Sequence, residues 1–454
     1  MKYAKKYVDS IFFPITLGII SLIGWVLNFN IPSAIISAIL CFLPLFGKDG
    51  RGYLSLVLLV PAMVYNPISF NNIDLGLFIF ACTIVISLTL FIIIRRPKFR
   101  FGRIAISLIP LYAIFVISLI IQFSFGTPIY KESLYFLLGL FFILLFYLIF
   151  VPILYGDNVF EYFSKSLIIL ATLISLQVFI FYGKIGYENV GTTINIGWIQ
   201  SSTMASSILV ITLPFISFFF SKKKWWYLPI LAILISAIYQ LRTVSGILCT
   251  ICIIIPLIFF TFKNYKYCPY YIIFSIFVFG IALSILFFVN DTFVDVMISS
   301  LRYLSTFLKG EIPAHQLGIE LFLKQPVFGP SINALSNILG VDKGYIRLLD
   351  NTVVTTLVMG GSFGLAFYFF HLVNIFTLAF KKKNPYQLFF LIFLLAVELI
   401  GLVDNTIYNL FFNFIYLFIM AAYESSTRIP DVFIEQKFFS CYLNRGIIKI
   451  IPKK

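Results

Sequence analysis

The chain has 454 residues, of which 61% are hydrophobic and only 11% are charged, whereas charged residues make up about 25% of an average soluble domain. This composition and a mean hydropathy of +1.03 exclude a soluble globular protein, because no soluble core can bury so much apolar surface. The formal net charge of +15 would suit a nucleic-acid partner, but the basic residues are distributed between apolar segments, which excludes one. We therefore predict a single integral-membrane domain over residues 1–454.

Apolar runs recur along the whole chain. A helix that crosses a bilayer needs about 20 residues, with a range near 17–25. Candidate spans cover residues 11–27, 31–46, 53–65, 73–94, 102–123, 133–155, 162–182, 200–220, 225–241, 243–262, 270–289, 351–380, 385–402 and 405–423. The run 53–65 is short and contains Pro61, so it is a candidate re-entrant segment, and twelve spans are the alternative to fourteen. The pattern predicts an all-α transmembrane helix bundle.

The segments between these runs alternate in positive charge. One set, which includes both termini, holds 25 of the 33 Lys and Arg residues, and the other set holds eight. Positive charge marks the cytoplasmic side, so we predict that both termini are cytoplasmic. The first run follows basic residues without a small-residue cleavage site, which predicts a retained helix rather than a signal peptide. Residues 424–454 form a basic tail, either an amphipathic segment on the inner surface or a solvated one.

One connection, residues 290–350, is far longer than the others and lies on the predicted outer side, between the eleventh and twelfth runs. Its ionisable side chains include Arg302, Glu311, His315, Glu320, Arg347 and Asp350. A large polar excursion from a membrane protein points to binding or chemistry. Residues 313–325 are predicted to form a helix because Ala314, Leu317 and Leu321 share one face and Pro326 ends it. A second short helix is predicted within residues 331–349.

Beyond the first turn of each run, the ionisable residues inside the apolar runs are His371 and Glu398. A charge at the bilayer centre costs at least about 2.5–3.5 kcal/mol, so such residues are functional candidates. Their small number argues against an ion-coupled transporter. Glu398 is either a functional group just beneath the outer face or a protonated partner in a helix–helix hydrogen bond. For His371, which lies deeper, the structural interpretation is preferred.

Three further positions stand at predicted outer span ends. Arg242 lies in a tight turn, where its planar guanidinium suits phosphate oxygens, although an arginine there also reaches lipid headgroups without a specific ligand. Asp350 and Asn351 precede one span, and Asp404 and Asn405 repeat the pair before another. Asp and Asn are preferred helix N-caps, so each pair has a structural explanation beside a chemical one.

Several short segments together resemble the O-antigen polymerase and ligase superfamily. They are residues 323–330 (LKQPVFGP), 349–352 (LDNT) and 360–365 (GGSFGL), preceded by Arg242 with Ser245 and Gly246. The family has a Pro-x-x-Gly element after a loop helix, a His-Asn or Asp-Asn pair that opens the next span, and a Gly-rich turn. The resemblance covers residues 189–423, and the earlier spans agree in topology. Ligases of this family have His where Asp350 stands, which favours a polymerase.

The resemblance implies an inverting glycosyltransferase without a cofactor in the cytoplasmic (inner) membrane. The sequence shows no DxD-type metal motif, which predicts that the reaction is independent of metal. Its substrate would be an undecaprenyl-diphosphate-linked oligosaccharide, and its product O-antigen or capsular polysaccharide, with a chain-length regulator as a further partner. The catalytic base would be Asp350, with His315 as the second choice. The diphosphate would be bound by Arg242, Arg302 and Arg347. Secondary candidates for the site are Asn351, Glu398 and Asp404. The alternatives are an O-antigen ligase and, in another class, a lipid-linked oligosaccharide flippase.

Overall fold

The computed structural model describes residues 2–63, 75–98, 100–154, 158–185, 201–263, 268–289, 291–308, 312–342, 345–346, 348–380, 385–405 and 407–427. Arg347 and the basic tail beyond residue 427 lie outside the described residues. The helices are α1 (Lys2–Val8), α2 (Phe12–Leu27), α3 (Asn30–Leu40), α4 (Arg51–Leu59), α5 (Leu75–Arg95), α6 (Arg103–Ser124), α7 (Lys131–Ile153), α8 (Val159–Ile185), α9 (Ser202–Ser221), α10 (Leu228–Leu241), α11 (Val244–Phe262), α12 (Cys268–Val289), α13 (Asp291–Leu308), α14 (Pro313–Lys324), α15 (Ser331–Leu339), α16 (Thr352–Phe380), α17 (Gln387–Val403) and α18 (Leu410–Ser426). Strands β1 (Val341–Asp342) and β2 (Tyr345–Ile346) form a small antiparallel pair.

Within the described ranges, seven helices are long and apolar enough to cross a membrane: α6, α7, α8, α9, α11, α16 and most of α5. Shorter apolar helices of 10–17 residues occur in α2, α3, α4, α10, α12, α17 and α18. Each predicted apolar run contains one of these helices. By length and composition the chain is therefore an all-α, multi-pass membrane protein, as its sequence predicts.

The short run at 53–65 forms α4 and a 3-10 segment, Val60–Met63. Its 13 helical residues reach about 20 Å, which is less than the roughly 30 Å of a bilayer core. All nine residues of α4 are buried, and α4 packs between α2 and α8. The segment is thus a core helix of the bundle, which explains why it is apolar although it is short.

The core of the bundle is built around α9. In the most apolar 18-residue stretch of this helix 94% of the residues are buried, whereas the corresponding share for α5 is 28%. It packs against α8, α10, α11 and α17, while α16 packs along α6. These contacts bring the beginnings of α9, α11 and α16 to one end of the bundle, together with the end of α17. We call this the Asp350 end, and the other the Glu424 end.

A buried polar network locks four helices at the Glu424 end. The Glu424 carboxylate accepts hydrogen bonds from the backbone N–H of Arg103 at 3.0 Å and from the Tyr147 hydroxyl at 2.5 Å. The Arg103 guanidinium donates to Asn374 Oδ1 at 2.9 Å and to Thr377 Oγ1 at 2.7 Å. The network therefore satisfies the Glu424 charge while it joins α6, α7, α16 and α18.

His371 of α16 belongs to the neighbouring part of the interior. It is fully buried, and its Nδ1 and Nε2 atoms lie 2.9 Å from Ser107 Oγ and 3.0 Å from Tyr416 OH. Both ring nitrogens therefore have protein partners, from α6 and from α18. This geometry fits the structural interpretation of His371, because interhelical hydrogen bonds of this kind stabilise helix packing in a membrane.

The long helix α16 is broken at Gly361, which has φ 60° and ψ −151°. A turn formed by residues 326–329 is docked into this break. The backbone N–H of Ser362 donates to Pro326 O at 2.8 Å, and Ser118 of α6 donates to Gly329 O at 3.1 Å. The break lies roughly 13 Å along the helix from Thr352. An interrupted helix at such depth requires partners for its freed backbone groups, and the docked turn supplies them.

Substitution of Gly361 tests this docking. A Cβ at this position would lie 2.5 Å from Gly329 N and still closer to Val327 O, and the positive φ is unfavourable for alanine. We expect Gly361→Ala to destabilise the protein by about 1–3 kcal/mol, measured as a lower thermal unfolding temperature in detergent. Gly183→Ala is the control, because a Cβ there meets nothing within 4 Å. Equal unfolding temperatures for both variants and the wild type would contradict the docked turn.

Candidate functional site

Two asparagine side chains join the beginning of α16 to the end of α17. Asn351 Nδ2 donates to Leu402 O at 3.0 Å, and Asn405 Nδ2 donates to Thr355 Oγ1 at 2.7 Å. The repeated Asp-Asn pairs of the sequence therefore lie side by side, and each asparagine reaches across to the other segment. This arrangement brings Asp350 and Asp404 to the same region at the Asp350 end.

The N-cap of α16 is Asn351 rather than Asp350. Asn351 Oδ1 accepts a hydrogen bond from the backbone N–H of Val354 at 3.0 Å. Sequence alone left open which residue of the pair caps the helix. Because Asn351 performs this role and also bridges to α17, the carboxylate of Asp350 is available for other interactions.

His315 lies beside Asp350 through close packing of α14 on α16. A Cβ on Gly318 would overlap Val354 and approach Leu349 to 2.8 Å, so only glycine allows this approach. His315 is 7% exposed; its side chain hydrogen-bonds to the Asp350 backbone and interacts electrostatically with the Asp350 carboxylate. Burial lowers the pKa of His315, and the Asp350 contacts oppose that change only in part. His315 is therefore a neutral imidazole at pH 7.

Asp350 is exposed at the surface, although its carboxyl is partly desolvated. This desolvation raises the pKa of Asp350, and His315 acts in the opposite direction. A raised pKa makes a carboxylate a stronger base than a freely solvated aspartate. The sequence-predicted pair of Asp350 and His315 is thus brought together, with one member accessible from outside the protein.

Asp404 is the second carboxylate of the site. Its Oδ1 accepts from the backbone N–H of Asn405 at 2.8 Å, and Thr203 at the beginning of α9 hydrogen-bonds to its side chain. Burial, and then repulsion from Asp350, raise the pKa of Asp404 to about 6. The two carboxylates are therefore close enough for each to influence the charge of the other.

Sequence reasoning missed Tyr303 because it did not predict α13. The Tyr303 hydroxyl donates to Val403 O at 3.3 Å. Burial first, then the negative charges of Asp350 and Asp404, raise the pKa of Tyr303 to about 12, so the phenol is a neutral hydrogen-bond donor beside both carboxylates. The amphipathic pattern over Asp291–Leu308 is the sequence signal that could have predicted this helix.

Arg242 ends α10 in a left-handed conformation with φ 50°. It is half-buried and interacts electrostatically with Tyr182 of α8. The turn after it begins α11, where Gly246 packs so closely on α9 that a Cβ would overlap Ser206. Ser206 lies one helical turn from Thr203, the residue that holds Asp404. The Arg242 turn and the carboxylates therefore share α9 as a common support.

Buried hydroxyl groups lie near the beginnings of α9, α11 and α16. Among the side chains that the structure describes, Ser206 Oγ, Ser245 Oγ and Thr352 Oγ1 are buried without a protein hydrogen-bond partner. Buried polar groups are normally hydrogen-bonded. All three stand within the first turns of α9, α11 and α16, so the Asp350 end has an unused capacity to bind polar groups.

The other predicted residues that the structure describes are Arg302 and Glu398. Arg302 is exposed on α13 next to Tyr303, and Arg347 lies outside the described residues. Glu398 accepts a hydrogen bond from Tyr368 at 2.7 Å and lies roughly 9 Å along α17 from Asp404. Glu398 is therefore in the interior beneath the site and is paired between α16 and α17.

The pH dependence of stability tests the environment of Asp404. Because the folded-state pKa is raised from 3.8 to about 6, this carboxyl favours folding below pH 3.8, and the contribution is lost as pH rises through about 6. Asp404→Asn stays neutral, so it should be more stable than the wild type by up to about 3 kcal/mol near pH 7.5 and by little near pH 4. Thermal unfolding across this range measures the difference. Asp295→Asn on exposed α13 is the control, and a difference independent of pH would contradict the assignment.

Comparison with known proteins identified no relative of this chain. No protein-family model matches the chain, and no curated protein matches it. Functional conclusions therefore depend on the geometry at the Asp350 end and on the motifs that carry the resemblance.

Proposed function

We propose that the protein is a membrane glycosyltransferase that polymerises polyprenyl-diphosphate-linked oligosaccharide repeat units at the outer face of the cytoplasmic membrane. The observation that carries this proposal is the meeting of Asp350, His315, Asp404 and Tyr303 at one end of an apolar bundle. In this proposal both termini lie in the cytoplasm, and the Asp350 end faces outward.

The charge distribution supports this orientation. Near the Glu424 end, Glu161 contacts Lys165 at 3.0 Å, Lys222 at 2.9 Å and Lys224 at 3.6 Å. Three ammonium groups around one carboxylate leave an excess of positive charge there, which is typical of the cytoplasmic side. The segments on the opposite side hold only eight of the 33 Lys and Arg residues.

The proposed reaction uses Asp350 as the general base. Its carboxylate accepts the proton of an acceptor sugar hydroxyl while the hydroxyl oxygen attacks the anomeric carbon of the donor. The bond from that carbon to the diphosphate oxygen breaks, the diphosphate leaves with the electron pair, and the anomeric configuration inverts. Arg242 with Arg302 and Arg347 would stabilise the leaving charge, because fixed cations favour a transition state in which negative charge develops.

Neutral partners complete the acceptor side in this proposal. His315 and Tyr303 border the two carboxylates and are suited to hydrogen-bond sugar hydroxyls, and His315, as a neutral imidazole, is the second candidate for the base. Repulsion from Asp350 adds to burial in raising the pKa of Asp404, so the second carboxylate is also a stronger base than a solvated aspartate. A base placed at the acceptor hydroxyl contributes typically 10²–10⁴-fold to a rate.

The interior supports an enzyme over a flippase. Glu398 and His371 each bond to neighbouring helices, so both are explained by helix packing. A transport path usually requires polar groups that face a cavity within the membrane. The polymerase is preferred to the ligase because Asp, and not His, opens α16.

Loss of the base and of the proposed diphosphate ligand should abolish long chains. In a host that lacks this gene, Asp350→Ala should lower polymerisation about 10²–10⁴-fold and Arg242→Ala about 10²–10³-fold, with wild-type protein levels. Gel profiles of the extracted polysaccharide measure this. Asp295→Ala and Lys324→Ala, which remove an exposed carboxylate of α13 and an exposed cation of α14, are the matched controls.

The same strains separate the alternatives. A polymerase variant still permits attachment of one repeat unit, whereas a ligase variant attaches none. Lipid-linked repeats trapped in the cytoplasmic leaflet would identify a flippase. Normal chain lengths in both the Asp350→Ala and Arg242→Ala strains would reject the site.

Independence of divalent metal is a further prediction. The proposed mechanism uses arginines, rather than a metal ion, to stabilise the diphosphate. We expect polymerisation by the purified protein in lipid vesicles to continue unchanged in EDTA. Loss of polymerisation in EDTA with recovery on addition of Mg²⁺ would reject this part of the mechanism.

A further inference from the structure

A cluster of charged side chains lies near the Glu424 end, where α8 begins and α9 ends. The Glu161 carboxylate contacts the ammonium groups of Lys165 at 3.0 Å, Lys222 at 2.9 Å and Lys224 at 3.6 Å. We call these four residues the lysine cluster. Among the described residues, Glu161 is the one carboxylate within 4 Å of the three lysines. Three positive charges against one negative charge leave the cluster with an excess of +2.

The ammonium groups of the lysine cluster are held in fixed positions. Lys222 Nζ lies 4.4 Å from the ring centroid of Phe218, and Lys224 Nζ lies 5.2 Å from that of Phe219. A cation over an aromatic face is stabilised by the ring. The lysine side chains nevertheless stay between 25% and 38% exposed. An anion can therefore reach them, and it would lose little free energy in ordering them because they are already ordered.

The position of the lysine cluster along the helices places it at the membrane boundary. Glu161 lies in the first turn of α8, and Lys222 is the C-cap of α9. Both helices are long and apolar enough to cross a membrane. The 20 residues of α9 reach about 30 Å, which is roughly the thickness of a bilayer core. The residue that caps α9 therefore lies at the height of the lipid headgroups, where the phosphate groups of a bilayer are found.

Two tryptophans follow the lysine cluster directly in the chain. Trp225 is 45% exposed and Trp226 is 59% exposed. Exposed indole rings are enriched where the headgroups meet the acyl chains. Trp225 also stacks on Phe262 at the end of α11, with ring centroids 6.2 Å apart. The lysine cluster is thus connected through Trp225 to the surface of α11.

The surface of α11 next to Trp225 is apolar and exposed. Ile255 is 62% exposed and Phe259 is 48% exposed, and residues four apart lie on the same side of a helix. Helix α11 is long and apolar enough to cross a membrane, so this side of it contacts acyl chains. Positive charge, an amphipathic ring and an acyl-chain surface therefore follow one another in the order of the parts of a phospholipid.

We propose that the lysine cluster binds the phosphate headgroup of an anionic phospholipid, whose acyl chains lie along Trp225 and the exposed side of α11. Basic pockets between membrane helices bind such headgroups. A lipid with two phosphates, such as cardiolipin, would neutralise the excess charge of +2, and phosphatidylglycerol would neutralise half of it. A free phosphate shares the headgroup chemistry but gains nothing from the aromatic and apolar surfaces, so the lipid is the better ligand.

Thermal unfolding of the full-length protein in detergent tests the proposal, because a ligand that binds the folded state raises the unfolding temperature. Cardiolipin, phosphatidylglycerol, phosphatidylcholine, inorganic phosphate and pyrophosphate are added separately. The test variant carries Lys222→Gln and Lys224→Gln. Its matched control carries Lys131→Gln and Lys324→Gln, which remove two exposed lysines elsewhere and change the net charge equally. Each temperature shift is measured against the same variant without ligand, so a loss of stability from broken ion pairs does not enter the comparison.

We expect cardiolipin and phosphatidylglycerol, but not phosphatidylcholine, to raise the unfolding temperature of the wild type and of the control. The test variant should need about 10–30-fold more lipid for the same shift, since each lysine near the headgroups contributes to the attraction. Equal lipid responses of the test variant and the control would overturn the proposal. An equal shift with phosphatidylcholine would overturn it too. A shift of the same size with inorganic phosphate or pyrophosphate, at equal phosphate concentration, would reject lipid as the ligand.

Glu161→Gln provides a second and opposite test. It removes the negative charge of the lysine cluster and raises the excess charge to +3, so its lipid response should equal or exceed that of the wild type. A cluster that serves only as an ion-pair network would lose its lipid response with Glu161→Gln as well, and that result would overturn the proposal. Because the readout is lipid binding at the end opposite to Asp350, it is independent of the proposed reaction.

Discussion

The two reciprocal bonds from Asn351 and Asn405 are the interactions on which the candidate site depends. They fix the first turn of α16 against the last residues of α17, and the neighbouring carboxylates are brought together as a result. Water competes little for a buried hydrogen bond near the membrane. Such hydrogen bonds therefore stabilise the contact between two helix ends, although each contributes only a modest free energy. The asparagines serve structure, and the aspartates beside them are thereby available for chemistry.

The second constraint is that backbone N–H and C=O groups need hydrogen-bond partners. This constraint determines how the loop that contains the 326–329 turn is attached to the bundle. A span interrupted at Gly361 would expose unpaired N–H and C=O groups to lipid, which is unfavourable. The 326–329 turn removes this difficulty by hydrogen-bonding to the break, and it thereby fixes α14 next to the Asp350 end. The glycines at both sides of the contact have positive φ, so the Pro-x-x-Gly element and the Gly-rich turn of the sequence are two halves of one joint.

Burial explains why the titratable groups differ in role. Glu424 and His371 are almost fully enclosed and paired, and they contribute to helix packing. Asp350 is exposed, Asp404 is half-buried, and His315 is buried beside them. Of these two sets, the one formed by Asp350, Asp404 and His315 combines access from outside with raised carboxyl pKa values. General-base chemistry requires this combination. Access, more than residue type, therefore distinguishes the candidate site from the structural network.

Sequence by itself determined the apolar runs, the all-α membrane class and the helix at residues 313–325, because hydrophobic length and residue type are local properties. It did not predict α13, whose amphipathic pattern lies within a polar loop, and therefore missed Tyr303. It also left open whether Asp350 or Asn351 caps α16. Only the tertiary structure decided that the two Asp-Asn pairs meet, that Thr203 supports Asp404, and that the 326–329 turn fills the break in α16. These contacts join residues far apart in the chain, and their partners are set by helix packing, which no local pattern encodes.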